Sequence, residues 1–105
     1  VIMNHEFKFD SSSFKWEKEE SCEYNLMVAK HVSRMLMDLL WARGYLYLNQ
    51  VYEHFGLGWN PDNENVLIRY HECYTKEHPL FYFDKGDDEN CVHILIDAYH
   101  DEGAD

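Results

Sequence analysis

Residues 21–44, SCEYNLMVAKHVSRMLMDLLWARG, predict one long α-helix. Ser21 can serve as its N-cap after a group of acidic residues that favour a helix start, and Gly44 is a natural C-terminal stop. Apolar residues recur at intervals of three and four: Tyr24, Met27, Val28, Val32, Met35, Leu36, Leu39 and Leu40. We therefore expect a helix over residues 21–43, about 33 Å long at 1.5 Å per residue, that forms the main helix of the domain.

A second, shorter helix is predicted directly after the first one. Residues 45–48 form a short apolar connector, and Asn49 is a good N-cap for a helix that continues to Phe55 and ends at Gly56. Its apolar residues would pack on the long helix. The following residues, 59–63, form a strong turn signal with Pro61 at the centre.

Alternating apolar and polar residues predict strands in the rest of the chain. Residues 66–70 form one strand, residues 80–84 and 91–99 form a hairpin around an acidic loop, and residues 6–9 can add an edge strand. The fold class expected is α+β, with the long N-terminal helix and the short second helix packed on a three- to four-stranded antiparallel sheet. Residues 1–105 show no repeat or linker, so we expect a single domain.

The composition indicates a protein that folds around its own apolar core. Hydrophobic residues make up 46% of the 105 residues, which is enough for a core without metal or disulfide support. Three cysteines, an odd number without regular spacing, do not form a secreted disulfide framework. No apolar run reaches a membrane-spanning length and the start does not resemble a secretory signal, so the sequence predicts a soluble, cytoplasmic protein without a membrane partner.

The charge of the chain is strongly negative and unevenly distributed. Twenty acidic residues against nine basic ones give a net charge of -11, which excludes a protein that works mainly by neutralising nucleic-acid phosphates. Residues 61–105 contribute twelve acidic and three basic residues, a net charge of -9. Charge concentrated in one part of a small domain produces a directional field that can steer a basic partner.

The acidic part of the chain supplies the predicted binding residues. The carboxylates expected to contact a partner are Asp84, Asp87, Asp88, Glu89, Asp97, Asp101 and Glu102. Aromatic residues are more numerous than the core of so small a domain needs, so some of them should be exposed, and Trp59 and Tyr82 are the proposed interface anchors. The alternative interpretation is that the acidic residues form an ordinary solvated surface.

Direct DNA binding and catalysis are both disfavoured by the residues present. The two helices and the hairpin resemble a helix-turn-helix with a wing, but the second helix has no Arg or Lys and the wing is acidic, so phosphates would be repelled. No G-x-S-x-G turn and no Gly-rich phosphate loop is present. The sequence therefore predicts no enzyme activity.

Two parts of the chain carry residue types that bind metals. Cys73, His78, Cys91 and His93 are the residue types of a structural zinc site, but their spacings match no common zinc motif. The acidic loop at residues 84–90 lacks the spacing of a calcium-binding loop. We therefore expect no metal and no other cofactor, and zinc binding by the Cys/His set remains the open alternative.

One segment resembles a known group of proteins. Residues 43–52, RGYLYLNQVY, followed by Gly56-Leu57 and Gly58-Trp59, resemble a Gly-Tyr-x-x-Leu-Asn-x-x-Tyr, Gly-Leu, Gly-Trp pattern in small proteins of tailed bacteriophages and prophages. The resemblance extends over roughly residues 30–100, and its specific part is the motif. Leu57 joins Gly58-Trp59 without an intervening loop, and the last hairpin is more acidic than the pattern implies. The resemblance implies a phage origin and no particular activity.

A phage origin gives the acidic surface two interpretations, both of them binding roles. The first is an inhibitor of a host defence enzyme, of the anti-CRISPR or anti-restriction type, that acts as a DNA mimic on a basic partner such as a Cas effector or another nuclease. The second is a virion structural or assembly protein, which would contact copies of itself or another phage protein through aromatic residues.

Overall fold

The computed structural model describes residues 2–61, 66–72, 74, 79–84 and 91–99. These residues form two helices, one three-stranded antiparallel sheet and one two-stranded sheet, which confirms the predicted α+β class. The elements in chain order are β1 (Ile2–Asp10), α1 (Cys22–Arg43), β2 (Tyr45–Tyr47), α2 (Leu48–His54), β3 (Leu67–Arg69), β4 (Phe81–Asp84) and β5 (Cys91–Tyr99).

Both ends of α1 lie where the sequence predicts them. The Ser21 hydroxyl accepts a hydrogen bond from the N–H of Tyr24 at 3.1 Å, which satisfies one of the free N–H groups of the first turn. At the other end Gly44 adopts the left-handed conformation, with φ 86°, and its N–H donates to the carbonyl of Leu40 at 2.6 Å. These two local signals fix the length of the helix.

The buried face of α1 differs from the predicted apolar face. Val32, Leu36 and Leu40 are buried as expected, but Met27 is 68% exposed, and Tyr24 and Met35 are also exposed. The helix has two apolar stripes, and the one that faces the core includes small and polar residues. Small side chains let the helix approach the sheet closely, so that stripe is the one that packs. Its buried residues are Cys22, Asn25, Ala29, Val32, Ser33, Leu36 and Leu40.

The three-stranded sheet has the order β1–β5–β4, with both pairs antiparallel. The hairpin predicted for residues 80–84 and 91–99 is confirmed as β4 and β5, with Asp84 opposite His93. The predicted edge strand is also confirmed, because β1 pairs with β5 along its whole length, from Ile2 opposite Tyr99 to Asp10 opposite Cys91. The central strand is therefore β5, the last strand of the part of the chain that the structure describes.

Residues 45–48 are not the simple connector that the sequence predicts. Tyr45–Tyr47 form β2, which pairs with β3 so that Leu46 faces Ile68, and both of these side chains are buried. The alternation of tyrosine and leucine fits a half-buried strand, and pairing satisfies its backbone groups. The strand predicted at residues 66–70 therefore belongs to a second, two-stranded sheet.

Helix α2 begins two residues earlier than predicted. Its N-cap is Tyr47 and not Asn49, and the Tyr47 N–H donates to Oε1 of Gln50 at 3.0 Å. Asn49 is buried, and its Oδ1 accepts from the N–H of Asn60 at 3.0 Å. The side chain that was expected to cap the helix instead holds the loop after the helix against α2.

The core lies between the helices and one face of the three-stranded sheet, which we call the inner face. Phe55, the fully buried C-cap of α2, makes edge-to-face contacts with Phe7, Phe9 and Phe81 at centroid distances of 5.4, 6.0 and 6.2 Å. These contacts tie α2 to both edges of the sheet. We call the opposite face of the sheet the outer face.

Candidate functional site

The outer face of the three-stranded sheet collects most of the polar residues of β1, β4 and β5. Successive side chains of a strand point to opposite faces, so the residues between the buried Val92, Ile94 and Ile96 must lie on the other side. The register of the strands then defines the members of the outer face: Glu6, Lys8, Asp10, Tyr82, Asp84, Cys91, His93, Leu95 and Asp97.

His93 lies at the centre of this face. Its neighbours across the strands are Lys8 on β1 and Asp84 on β4. Nδ1 of His93 is 3.4 Å from Oε1 of Glu6, and Nε2 is 3.8 Å from Sγ of Cys91. Both ring nitrogens therefore have a polar neighbour, which holds the ring in one orientation on the sheet.

A shallow depression of about 200 Å³ opens on this face. Its floor is the apolar side chain of Leu95, and Tyr82, 37% exposed, stands beside it as the cross-strand neighbour of Leu95. Carboxylates of Glu6 and Asp84 line the rim together with His93. An apolar floor with an aromatic wall and an acidic rim is suited to a side chain that carries a positive charge at its end.

The outer face is acidic within the described residues. Four carboxylates, Glu6, Asp10, Asp84 and Asp97, are accompanied by a single lysine, Lys8, which gives a net charge of -3 with histidine neutral. The carboxylate of Asp10 accepts from the backbone N–H and hydroxyl of Ser12 at the end of the face. Glu6 and Asp84 are the exposed carboxylates of the face.

Asp97 is distinctive among these carboxylates. Asp97 as a whole is half-buried. The Oδ1 atom of its carboxylate is fully buried and has no hydrogen-bond partner in the part of the chain that the structure describes. Its backbone N–H donates to the carbonyl of Leu80 at 2.9 Å. A buried carboxylate oxygen without a donor lowers the stability of the fold, so this residue is a candidate for a functional role.

The structure brings together three of the predicted binding residues and separates one. Asp84, Asp97 and Tyr82 share the outer face, because every second residue of a strand lies on the same face and the register of β4 on β5 aligns these positions. Trp59 is 56% exposed and lies in the loop after α2, where the neighbouring Asn60 donates its N–H to Asn49, so it is not one of the strand residues of the outer face. Its role as an interface anchor stays a prediction. The remaining predicted contacts lie outside the described residues: Asp87, Asp88, Glu89, Asp101 and Glu102.

Several members of the outer face were not predicted as partner-binding residues, among them Glu6, His93 and Leu95. Glu6 reaches the face because β1 pairs with β5, and Leu95 forms the floor of the depression. The alternation around Phe7 and Phe9 was the available signal for Glu6, since it placed Glu6 and Lys8 on the face opposite to the phenylalanines. It could not indicate which strand β1 would pair with.

The metal hypotheses are only partly addressed by the described residues. Cys91 and His93 share a face, but Cys73 and His78 lie outside the described residues, as do residues 85–90 of the acidic loop. Among the residues that are described, no group of three or more His, Cys, Asp or Glu side chains is arranged to hold a metal ion. Within the same part of the chain, neither helix combines the length and apolar character needed to cross a bilayer.

A second surface, on the two-stranded sheet, has the opposite character. The guanidinium of Arg43 lies 4.6 Å from the centroid of the Tyr45 ring, and Tyr45 and Tyr47 contact each other edge to face at 5.8 Å. Arg43 also donates to Oε1 of Gln50 at 3.1 Å. Arg69 is the cross-strand neighbour of Tyr45. Several of the predicted surplus aromatic residues are thus exposed, but away from the acidic face.

Comparison of the chain with protein-family models, with curated proteins and with solved structures found no match. The resemblance of residues 43–59 to phage proteins therefore stays a prediction that rests on the motif alone.

Proposed function

We propose that this chain is a small, non-enzymatic, phage-type binding protein that inhibits a nucleic-acid-binding defence enzyme of the bacterial host, in the host cytoplasm. The target would be a CRISPR effector or a restriction enzyme. The outer face would occupy the basic channel of that enzyme in place of a phosphodiester strand. The observation that carries the proposal is the presence of Glu6, Asp84 and Asp97 on one open face around Tyr82 and Leu95.

A paired sheet is a suitable support for such mimicry. Neighbouring strands are about 4.8 Å apart and side chains on one face repeat about every 6.7 Å along a strand, so the carboxylates are held at fixed separations. Little conformational freedom is lost when a rigid surface binds, and more of the interaction energy remains as affinity. Lysines and arginines of a nucleic-acid channel would then meet carboxylates in a defined arrangement.

The apolar part of the face would supply affinity that charge alone does not. Exposed ion pairs contribute little in water, about 0–1 kcal/mol each. Tyr82 and Leu95 form an aromatic and aliphatic centre with charges around it, which is the usual arrangement of an interface in which a few central residues dominate the binding energy. The net charge of -11 would accelerate the encounter with a basic partner and make it dependent on salt.

A competition experiment tests the proposal. Purified CRISPR effectors and restriction enzymes are loaded with fluorescent DNA, and its release and cleavage are measured as the chain is added. The test variant is Glu6→Lys/Asp84→Lys. The matched control, Glu20→Lys/Glu53→Lys, changes the net charge by the same amount at exposed positions away from the outer face.

We expect the wild-type chain to displace DNA and to lose this effect at high salt. The outer-face variant should inhibit at least about tenfold more weakly, equivalent to about 1.4 kcal/mol, whereas the control should stay close to wild type. Equal weakening by both variants would show that only net charge matters. That result, or a partner bound equally well by all three proteins, would refute mimicry by this face.

A virion structural or assembly role is the second candidate. The exposure of Trp41, Tyr45 and Tyr47 favours it, because these rings lie outside the acidic face and are suited to contacts with another phage protein. Binding in this role would persist at high salt and in the Glu6→Lys/Asp84→Lys variant. The salt and charge dependence of partner binding therefore separates the two roles.

A further inference from the structure

The side of α1 that faces away from the sheet carries an exposed row of residues spaced by seven. Met27, Arg34 and Trp41 form this row, and seven residues are close to two helical turns, so the three side chains are nearly aligned. Met27 is 68% exposed and Trp41 is 74% exposed. Two large apolar side chains in one line on a helix form a surface that a second helix can cover.

Charged side chains lie in this row and beside it. Lys30, Arg34 and Asp38 are exposed, and within the described part of the chain the side chains of Arg34 and Asp38 make no hydrogen bond or ion pair. Helix α1 as a whole has three basic residues against two acidic ones, so it is not part of the acidic imbalance. A second copy of a chain with net charge -11 can therefore approach here without meeting a negative surface.

We propose that α1 pairs with α1 of a second copy in an antiparallel arrangement, with a two-fold axis at Arg34. This axis places positions whose numbers add to 68 opposite each other. Met27 of one copy then faces Trp41 of the other, and Lys30 faces Asp38. Both contacts occur twice in the dimer, as the symmetry requires. The pairing covers Met27 and Trp41 and places Lys30 opposite Asp38, while the two Arg34 side chains lie beside each other at the axis.

One antiparallel register brings together both the opposite charges of Lys30 and Asp38 and the apolar side chains of Met27 and Trp41. This agreement indicates that the helix covering the row is α1 of a second copy. An unrelated helix would need its own residues in matching positions, whereas α1 already matches itself. Met27 beside Trp41 is a favourable sulfur–aromatic contact. Arg34 at the axis lies one turn from Asp38, so the two arginines of the dimer are each close to a carboxylate.

The dimer is independent of the proposed function, and the two are structurally compatible. Helix α1 contacts β4 and β5 through its buried side, on the inner face of the sheet. Pairing through the other side of α1 leaves the outer face of each copy open. The dimer would present two acidic faces that point away from each other.

Sedimentation velocity over a series of chain concentrations tests the proposal. We expect wild-type protein to form a weak dimer and Trp41→Glu to weaken it at least tenfold. Trp59→Glu is the matched control, because Trp59 is also an exposed tryptophan but lies outside α1. Circular dichroism verifies that both variants retain the fold, which is expected because neither side chain belongs to the core.

A charge exchange tests the antiparallel register. Lys30→Glu alone and Asp38→Lys alone each turn two attractive pairs into repulsive ones, which should weaken the dimer by roughly three- to tenfold. The double variant Lys30→Glu/Asp38→Lys restores opposite charges in the antiparallel register but removes the carboxylate one turn from Arg34, so it should recover part of the lost affinity and dimerise more tightly than either single variant. A wild-type monomer at all concentrations, a dimer unaffected by Trp41→Glu, or a double variant weaker than either single one would overturn the proposal.

Discussion

The imidazole of His5 on β1 is hydrogen-bonded through Nε2 to the hydroxyl of Tyr52 on α2. The two rings are tilted with centroids 5.6 Å apart, and Phe7 contacts the same tyrosine ring at 5.0 Å. These contacts join the edge strand of the sheet to the short helix. The position of β1, and with it the position of Glu6 on the outer face, depends partly on this connection.

The stability of the fold should decrease below pH 6.5 because of His5. Burial lowers the pKa of His5 below 6.5, so the unfolded chain binds a proton more readily than the folded chain. The stabilisation is therefore present above pH 6.5 and is lost as the pH falls toward the folded-state pKa. Urea unfolding at a series of pH values measures this effect.

His5→Gln should reduce the loss of stability on acidification, because it removes the titrating group. Tyr52→Phe is the control, since it removes the hydroxyl but leaves His5 half-buried, and it should keep a pH dependence like that of wild type. An unchanged pH dependence in His5→Gln would contradict the assignment to His5.

Gly56→Ala should destabilise the fold more than Gly44→Ala. Both glycines have positive φ, but a Cβ on Gly56 would lie 2.5 Å from Oγ of Ser13, whereas nothing lies within 4 Å at Gly44. The Ser13 hydroxyl cannot move freely, because it donates to the carbonyl of Phe55. We expect losses in unfolding free energy of about 2–4 kcal/mol for Gly56→Ala and about 1–2 kcal/mol for Gly44→Ala. Equal losses in thermal or chemical unfolding would exclude the steric explanation.

The buried amide of Asn25 should be essential for the segment between β1 and α1. Its Oδ1 accepts from the N–H of Glu17 at 2.8 Å, and its Nδ2 donates to the carbonyls of Glu17 and Ser21 at 3.0 and 3.1 Å. Asn25→Asp removes the donor and places a carboxylate against two carbonyls, so we expect a loss of about 2–4 kcal/mol.

Ser33→Ala is the control for this change. Ser33 is also a buried polar residue of α1, but its hydroxyl donates only to the carbonyl of Lys30 in the same helix. We expect its loss to stay below about 1 kcal/mol. Denaturant unfolding distinguishes the two, and an Asn25→Asp variant as stable as Ser33→Ala would refute the role of the amide.

Asp97→Asn should stabilise the fold and weaken the proposed inhibition. The change removes a charge whose Oδ1 has no donor among the described residues, and we expect a gain of about 0.5–1 kcal/mol. Asp84→Asn, at an exposed position on the same face, should change stability by less than about 0.5 kcal/mol. Thermal unfolding and the DNA-competition assay measure the two effects, and a destabilised Asp97→Asn would show that the carboxylate is satisfied in solution.

The elements that the sequence predicts well are those with local signals. Ser21 and Gly44 limit α1 through contacts within their own turns, and the alternation in residues 80–84 and 91–99 requires only neighbouring side chains. The orientation of α1 was less predictable, because two apolar stripes compete and the choice depends on what the sheet can accommodate. Met27 and Met35 are consequently exposed where burial was expected.

The candidate site shows the same division. Asp84, Asp97 and Tyr82 were predicted from charge and aromatic character, and strand parity places them on one face. Glu6 and Leu95 were not predicted as binding residues, and Trp59, which was predicted, lies in the loop after α2 and not on a strand of the outer face. The residue types indicated which side chains can bind a partner, but not which of them lie together on one surface.

The fold class, the limits of α1, the hairpin and the acidity of the chain could be predicted from the residues alone. Helix caps and apolar periodicity act over a few neighbouring residues, and net charge depends only on composition. Tertiary structure decided that β1 pairs with β5, that β2 and β3 form a separate sheet, and that Glu6 lies beside His93. These relationships join segments far apart in the chain. Their energies come from strand register and core packing, which exist only when both segments are in place.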